Sequence, residues 1–301
     1  MFVQKRVEIS GLEIPGVLFF RFEGAIKKLC QPSERLALNR DYPNLVLLGS
    51  QKSGTTTLHG AMNAHPEIFM CQPIKEPVFF FPEDRIIRRY KRNPGLSEVS
   101  GRSEVLNRFM KRGYKSENIF GESSTGYTIG DNSRRLEVPE RMKSYGDDFR
   151  FIYLVRHPIK RLVSNYKHVS KGFPTFEGFL NSRAGQVGIA TSSYAYQIEA
   201  YLEHFDISRF HFLRFDDLIS DQNAVLQNVY QFLGLPPHEA EQPLHLNSSK
   251  ARNLEPEPEE VTSDAMIMRA HETIVAETER FARLSGLDLS SWSLSLDDWR
   301  V

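Results

Sequence analysis

The sequence predicts one α/β domain with a central parallel sheet and helices on both of its faces. Three observations carry this. Short apolar runs, LVLL at 45–48, FIYLV at 151–155 and FHFLRF at 210–215, read as buried strands. Amphipathic helical patterns alternate with them, which is the order that packs helices over a parallel sheet. The first run passes through a glycine-bearing loop directly into a helix, at GSQKSGTTTL. The 301 residues could hold one large domain or two small ones, so length alone leaves the division open.

Taken in order, residues 1–43 form an N-terminal extension beside the core. Val7, Ile9, Leu12 and Ile14 hint there at a short strand. The domain proper is expected over 44–292. The helix that follows strand 45–48 stops near His65–Pro66, because the residue before a proline is pushed out of helical geometry. Residues 68–71 and 78–81 read as short strands, and 104–111 and 139–145 as helical. Strand 151–155 leads into a helix with Pro158 in its first turn, where proline fits well. The Gly-, Ser- and Phe-bearing stretch 171–193 reads as a lid or acceptor loop. Residues 194–204 read as a helix and 210–215 as a strand. Residues 225–233 read as a helix capped by Gly234 and stopped by Pro236 and Pro237. The acidic, proline-bearing run 255–260 (EPEPEE) is a linker, followed by a long C-terminal helix over 264–284 that ends at Gly286.

Composition bounds the function. Apolar residues are 40% and charged residues 25%, as in soluble globular proteins. Lys plus Arg and Asp plus Glu are 38 each, so no global field draws a polyanion, and no nucleic-acid partner is expected. The two cysteines, Cys30 and Cys71, make neither a disulfide framework nor metal-site spacing. No segment approaches the roughly 20 apolar residues that span a bilayer.

The loop at 49–57 carries the chemistry. Strand, glycine-bearing loop and helix together aim backbone N–H groups and the positive end of a helix dipole at an anion. Lys52 adds a mobile positive charge. An ordinary βα turn is the competing reading. Gly49 and Gly54 have P-loop spacing, with four residues between them. A P-loop, however, places lysine directly after the second glycine. Here Thr55 holds that slot and the lysine lies inside the loop.

That order, GSQKSGTT, resembles the phosphosulfate-binding loop of the sulfotransferases, which take 3′-phosphoadenosine 5′-phosphosulfate (PAPS) as donor. Strand 151–155 ends in Arg156, His157 and Pro158, with Ser164 eight residues after Arg156. KEPVFF at 75–80 is similar to a segment of the heparan-type enzymes, as is GESSTGY at 121–127. In the latter Ser123 stands where several glycan sulfotransferases carry lysine. YAYQIEAYL at 194–202 and FHFLRFDDL at 210–218 resemble later segments. NSSKAR at 247–252 resembles a nucleotide loop only loosely, because Ala251 replaces glycine. The resemblance covers roughly 44–292 and implies a P-loop-like architecture of the sulfotransferase and nucleotide-kinase kind.

The resemblance implies the following roles. Gln51, Lys52, Ser53, Gly54, Thr55 and Thr56 cradle the 5′-phosphosulfate, and Lys52 neutralises the bridging oxygen. Arg156 and Ser164 bind the 3′-phosphate. Tyr194 faces the adenine, although an aromatic on a helix equally suits the core. Lys250 and Arg252 clamp the nucleotide. Glu76 is the base that takes the acceptor's proton, with His59 and His157 as alternatives. Lys75 and Glu122 lie on the acceptor side. The product is adenosine 3′,5′-bisphosphate and no metal is required. The acceptor is a small molecule, a glycan or a carrier-bound group. A soluble, cytoplasmic and bacterial enzyme is expected, since the chain lacks the N-terminal anchor of animal Golgi sulfotransferases. The basic run Arg85, Arg88, Arg89, Lys91 and Arg92 either receives an anionic acceptor or is a solvated helix face. Two rival functions remain. One is an ATP- or GTP-dependent phosphotransferase with Thr56 on magnesium and a Walker B strand ending in Asp216 or Asp217; the other is a nucleotide-binding module without catalysis.

Overall fold

The computed structural model describes residues 41–92, 96, 98–130, 132–239 and 264–299. Residues 1–40 of the N-terminal extension, the linker and the Lys250 and Arg252 positions lie outside the described residues. All described residues fall in one compact unit, Ala37–Val301. Among them, five strands form one sheet: β1 (Leu45–Gly49), β2 (Ile68–Met70), β3 (Ile119–Glu122), β4 (Arg150–Val155) and β5 (Phe210–Arg214). Their order is β2-β3-β1-β4-β5, and every pairing is parallel. β1 is therefore central, flanked by β3 and β4.

Alternation along the strands builds two cores. Val46, Leu48, Phe151, Tyr153, Phe210 and Phe212 point to one face and Leu45, Leu47, Ile152, Leu154 and Leu213 to the other. The second, aliphatic face is covered by helix α1 (Thr55–Met62) through Leu58, Ala61 and Met62. It is also covered by α10 (Gln222–Leu233), through Val225, Leu226, Val229 and Tyr230. The first, aromatic face is covered by α2 (Glu83–Lys91), α4 (Asn132–Tyr145), α8 (Tyr194–Leu202) and α11 (Asp264–Ser285). Between these run a short α3 (Arg102–Val105), α5 (Pro158–Val169), α6 (Phe176–Asn181), α7 (Arg183–Ser192) and α9 (Phe215–Ser220).

Four sequence expectations change. Residues 78–81 are a turn, not a strand. The N–H groups of Val78 and Phe80 donate to Ser124 Oγ and Tyr127 Oη, both at 2.9 Å, so no strand neighbour receives them. Phe79 and Phe80 are buried among the rings of Tyr127, Tyr145 and Phe149. β3 was not expected, because its glycine breaks the strand pattern; a Cβ at Gly121 would run into the Met70 sulfur of the neighbouring β2. The stretch 171–193 holds α6 and α7 instead of an open loop. Their N-caps are Thr175 and Ser182, whose hydroxyls accept from the N–H groups of Gly178 at 3.0 Å and Gly185 at 3.2 Å. The helix at 104–111 is one turn of α3 followed by a π-helical turn, Leu106–Met110. The C-terminal helix matches, ending before Gly286 at φ 69°.

Candidate active site

The carboxyl ends of β1, β3 and β4 converge, which is where parallel sheets present their ligand crevice. β1 ends at Gly49, and the chain then turns through Lys52 at φ 71° and Gly54 at φ 86°. Glycine is needed at 54 twice over: for its positive φ, and because a Cβ there would lie 2.7 Å from the Phe215 ring. α1 begins at Thr55 with no side chain capping it. Its first N–H groups have no acceptor within the helix and carry the positive end of its dipole.

Lys52 and Arg156 stand at this turn. Arg156, at the end of β4, donates to the Lys52 carbonyl at 3.4 Å and lies 5.0 Å over the Phe215 ring. Burial lowers the Lys52 pKa, and the fields of Arg156 and Arg161 lower it further. Burial likewise lowers that of Arg156. Gln51 and Lys52 are half-buried and Thr56 is exposed. Ser53 differs from expectation. It is fully buried, and its hydroxyl shares a hydrogen bond with Ser50 Oγ at 2.6 Å, so the side chain braces the loop instead of facing a ligand. Tyr194 is a second correction. Its ring has no exposed surface and packs on Tyr153 and Phe281, and its hydroxyl donates to the Arg156 carbonyl at 2.6 Å. It positions Arg156 and has no free face for an adenine. Ser164 is half-buried on α5, one turn beyond Arg161.

A second group of residues closes on the loop from β2 and β3. Lys75 Nζ donates to Thr55 Oγ1 at 3.0 Å and lies 3.5 Å from Glu76 Oε1. Thr125 Oγ1 donates to the same Glu76 oxygen at 3.0 Å. Arg89, on α2, donates to the Glu76 carbonyl at 3.2 Å and stands 4.0 Å from its carboxylate. Glu76 keeps 30% of its side chain exposed. Burial lowers the Lys75 pKa, and the neighbouring Glu76 works against that shift. Behind them Glu122 is fully buried and accepts from Tyr127 Oη at 2.5 Å and from Ser124 Oγ. Burial pushes its pKa up to about 7.

The alternative bases have other duties. His59 is buried, bonds Ser123 Oγ through Nδ1 at 2.7 Å, and is held at a pKa of about 4 by burial and by Lys75. His157 caps α5 by accepting from Lys160 N at 3.4 Å and packs against Trp292. Sequence reasoning missed Thr125, Phe215 and Arg161. Thr125 and Phe215 are ordinary residue types without local pattern, and Arg161 reads as one more surface arginine on an amphipathic helix.

A family model described as the sulfotransferase family matches residues 43–239. The chain belongs to the sulfotransferase family. Among family members, heparan sulfate glucosamine 3-O-sulfotransferase 5 of Mus musculus is 26% identical over 226 residues, 71% of this chain and 59% of that protein. Heparan sulfate glucosamine 3-O-sulfotransferase 3B1 of Mus musculus is 28% identical over 222 residues, 70% of this chain and 51% of its own length. This chain thus spans only 51–59% of the length of these relatives. A sulfotransferase from Alicyclobacillus acidocaldarius superposes with a TM-score of 0.62 at 21% identity, covering 84% of this chain and 99% of that one. The sulfotransferase domain of the Synechococcus PCC 7002 olefin synthase does so at 0.52 and 17%, covering 84% and 98%. Both share the fold of this family member.

Proposed function

We propose that this chain transfers the sulfuryl group of PAPS to a hydroxyl or amine of an acceptor, with Glu76 as base and Lys52 on the leaving oxygen. The observation that carries this is the bridge from Thr55 through Lys75 to Glu76. It links the first residue of the anion-binding helix to a solvent-reachable carboxylate, so donor and base share one crevice. Membership of the family and the uncapped α1 support PAPS as the donor.

Glu76 accepts the proton of the acceptor as the acceptor's oxygen or nitrogen forms its bond to sulfur. The bond between sulfur and the bridging phosphate oxygen breaks in the same in-line event. Charge grows on the departing phosphate, and Lys52, fixed at the loop's positive-φ position, stabilises it. Arg156 holds the 3′-phosphate, with Ser164 beside it. Lys75 steers the transferring group while holding Glu76 in place, and Thr125 fixes the carboxylate's orientation. Since Lys52 neutralises the leaving oxygen, turnover in EDTA should equal turnover in magnesium.

The phosphotransferase rival is disfavoured by its acids. Asp216 accepts from Trp292 Nε1 at 2.8 Å and Asp217 pairs with Arg214 at 2.6 Å. Both follow β5, which β4 separates from β1. No helix among the described residues is long and apolar enough to cross a membrane. The names of the relatives direct the acceptor panel to glycans first, and carrier-bound groups, small alcohols, phenols and amines complete it.

The test is label transfer from radioactive PAPS across that panel, with Glu76→Ala beside the parent. Glu76→Ala should remove most turnover and leave the dissociation constant of adenosine 3′,5′-bisphosphate nearly unchanged. Collapse of nucleotide binding in that variant would remove the base assignment. Uptake of ATP with a divalent cation in place of PAPS would remove the whole reading.

A further inference from the structure

Arg161 lies in the interior of the protein with no solvent exposure. Its Nε donates to Ser192 Oγ at 2.8 Å and its Nη2 to the Gly188 carbonyl at 2.5 Å. Ser192 Oγ in turn donates to the Pro158 carbonyl at 3.0 Å. Each of these acceptors is neutral. Nη1 has no hydrogen-bond partner among the described residues, and neither do the Tyr153 hydroxyl and Gln197 Oε1. Among the described residues, the groups that act on Arg161 through space are Tyr194, Tyr153 and Arg156, so its charged neighbour there is another cation. Lys52 feels both guanidinium groups. Three cations therefore gather where β1 and β4 end. Arg156 alone has an acid acting on it, Asp216, and that carboxylate is already bonded to Trp292.

A buried charge without a counter-charge is held at a penalty of several kcal/mol. The Gly188 carbonyl, inside α7, gives partial relief only, because it is a neutral dipole and carries no net charge. A fold that keeps such a group next to an anion loop gains from it only when the anion is present. We propose that Arg161 is a positioning residue whose buried charge is balanced by the bound nucleotide: its field draws the bisphosphate end of the ligand into the loop, and the ligand-free protein carries that charge uncompensated. The inference rests on the nucleotide assignment above and adds to it a residue that no ligand needs to touch.

The consequence is an opposite effect on stability and affinity. Arg161→Met keeps the length and bulk of the side chain and removes the charge. Isothermal titration with adenosine 3′,5′-bisphosphate should show binding weakened on the order of tenfold to a hundredfold, as expected for losing one unit charge at a partly desolvated anion site. The loss should be smaller for adenosine 5′-monophosphate, which carries less charge. The ligand-free melting temperature of Arg161→Met should equal or exceed that of the parent. Arg161→Lys should restore most of the affinity. Bisphosphate binding by Arg161→Met within twofold of the parent would overturn the proposal and leave the nucleotide assignment standing. So would a ligand-free Arg161→Met that melts far below the parent or does not fold, since that marks a structural strut. Equal loss of affinity in Arg161→Lys and Arg161→Met would show that geometry, not charge, matters. A parent protein that ignores the bisphosphate would bring down the nucleotide assignment and this inference together.

Discussion

Glu122 offers a direct measurement of how dry the interior behind the site is. Val78 and Phe80 donate their N–H groups to Ser124 Oγ and Tyr127 Oη, so the single proton of each hydroxyl is committed to Glu122. Those two bonds favour the carboxylate. Burial favours the neutral acid and wins, moving the pKa from 4.5 to about 7, with Glu76 adding to the rise. At 1.36 kcal/mol per unit this is about 3 kcal/mol. The folded pKa lies above the unfolded one, so the folded state holds the proton more tightly. The stability from this group is fully present below pH 4.5 and is lost as pH rises through about 7. His59 works in the opposite direction. Its folded pKa of about 4 lies below 6.5, so its contribution is lost as pH falls through that window. The parent's own pH profile therefore mixes the two, and the variant Glu122→Gln separates them. Unfolding by urea should be followed for both proteins from about pH 5 to about pH 8. Glu122→Gln should gain about 2–3 kcal/mol on the parent across that range, because only the parent bears the ionisation penalty. At the acidic end it should be the less stable by about 1–3 kcal/mol, since its amide nitrogen must face a hydroxyl already committed as donor. A stability difference that stays flat across the range would refute the argument that burial outweighs the two hydrogen bonds.

Two further outcomes bear on the loop. Lys52→Ala should lower the single-turnover rate on the order of 10²- to 10³-fold, the usual loss for one transition-state charge contact, with a smaller change in nucleotide affinity. Gly54→Ala adds a methyl group where φ is 86° and the Phe215 ring lies 2.7 Å away. It should lower stability by about 1–3 kcal/mol in urea unfolding and weaken bisphosphate binding by titration, and adding Phe215→Ala should recover only the steric part.

Much of the loop was legible in the residues themselves. Gly49, Lys52, Gly54 and the threonines lie within nine positions, and local spacing is enough to place a strand end against a helix start. The Arg156, His157 and Pro158 strand end was legible for the same reason. The turn at 78–81 was not. An apolar run of four residues suits a strand and a buried turn equally, and the choice falls to Ser124 and Tyr127, which take the N–H groups a strand partner would have taken. The two helices in 171–193 were hidden by their glycines, which read as loop; Gly185 is there because a Cβ would meet the Phe179 carbonyl.

The sequence by itself determined the class of fold, the strand–turn–helix at 45–62 and the family to which the chain belongs, because each depends on residues close together along the chain. Only the tertiary structure decided which residues gather beside that turn from elsewhere in the chain. It set Lys75 and Thr125 on Glu76, turned Tyr194 and Ser53 inward, and buried Arg161 with no acid beside it among the described residues. The physical reason is that a side chain's charge state, exposure and partners depend on what three-dimensional packing brings within a few ångströms. In a parallel sheet those neighbours come from strands far apart in sequence.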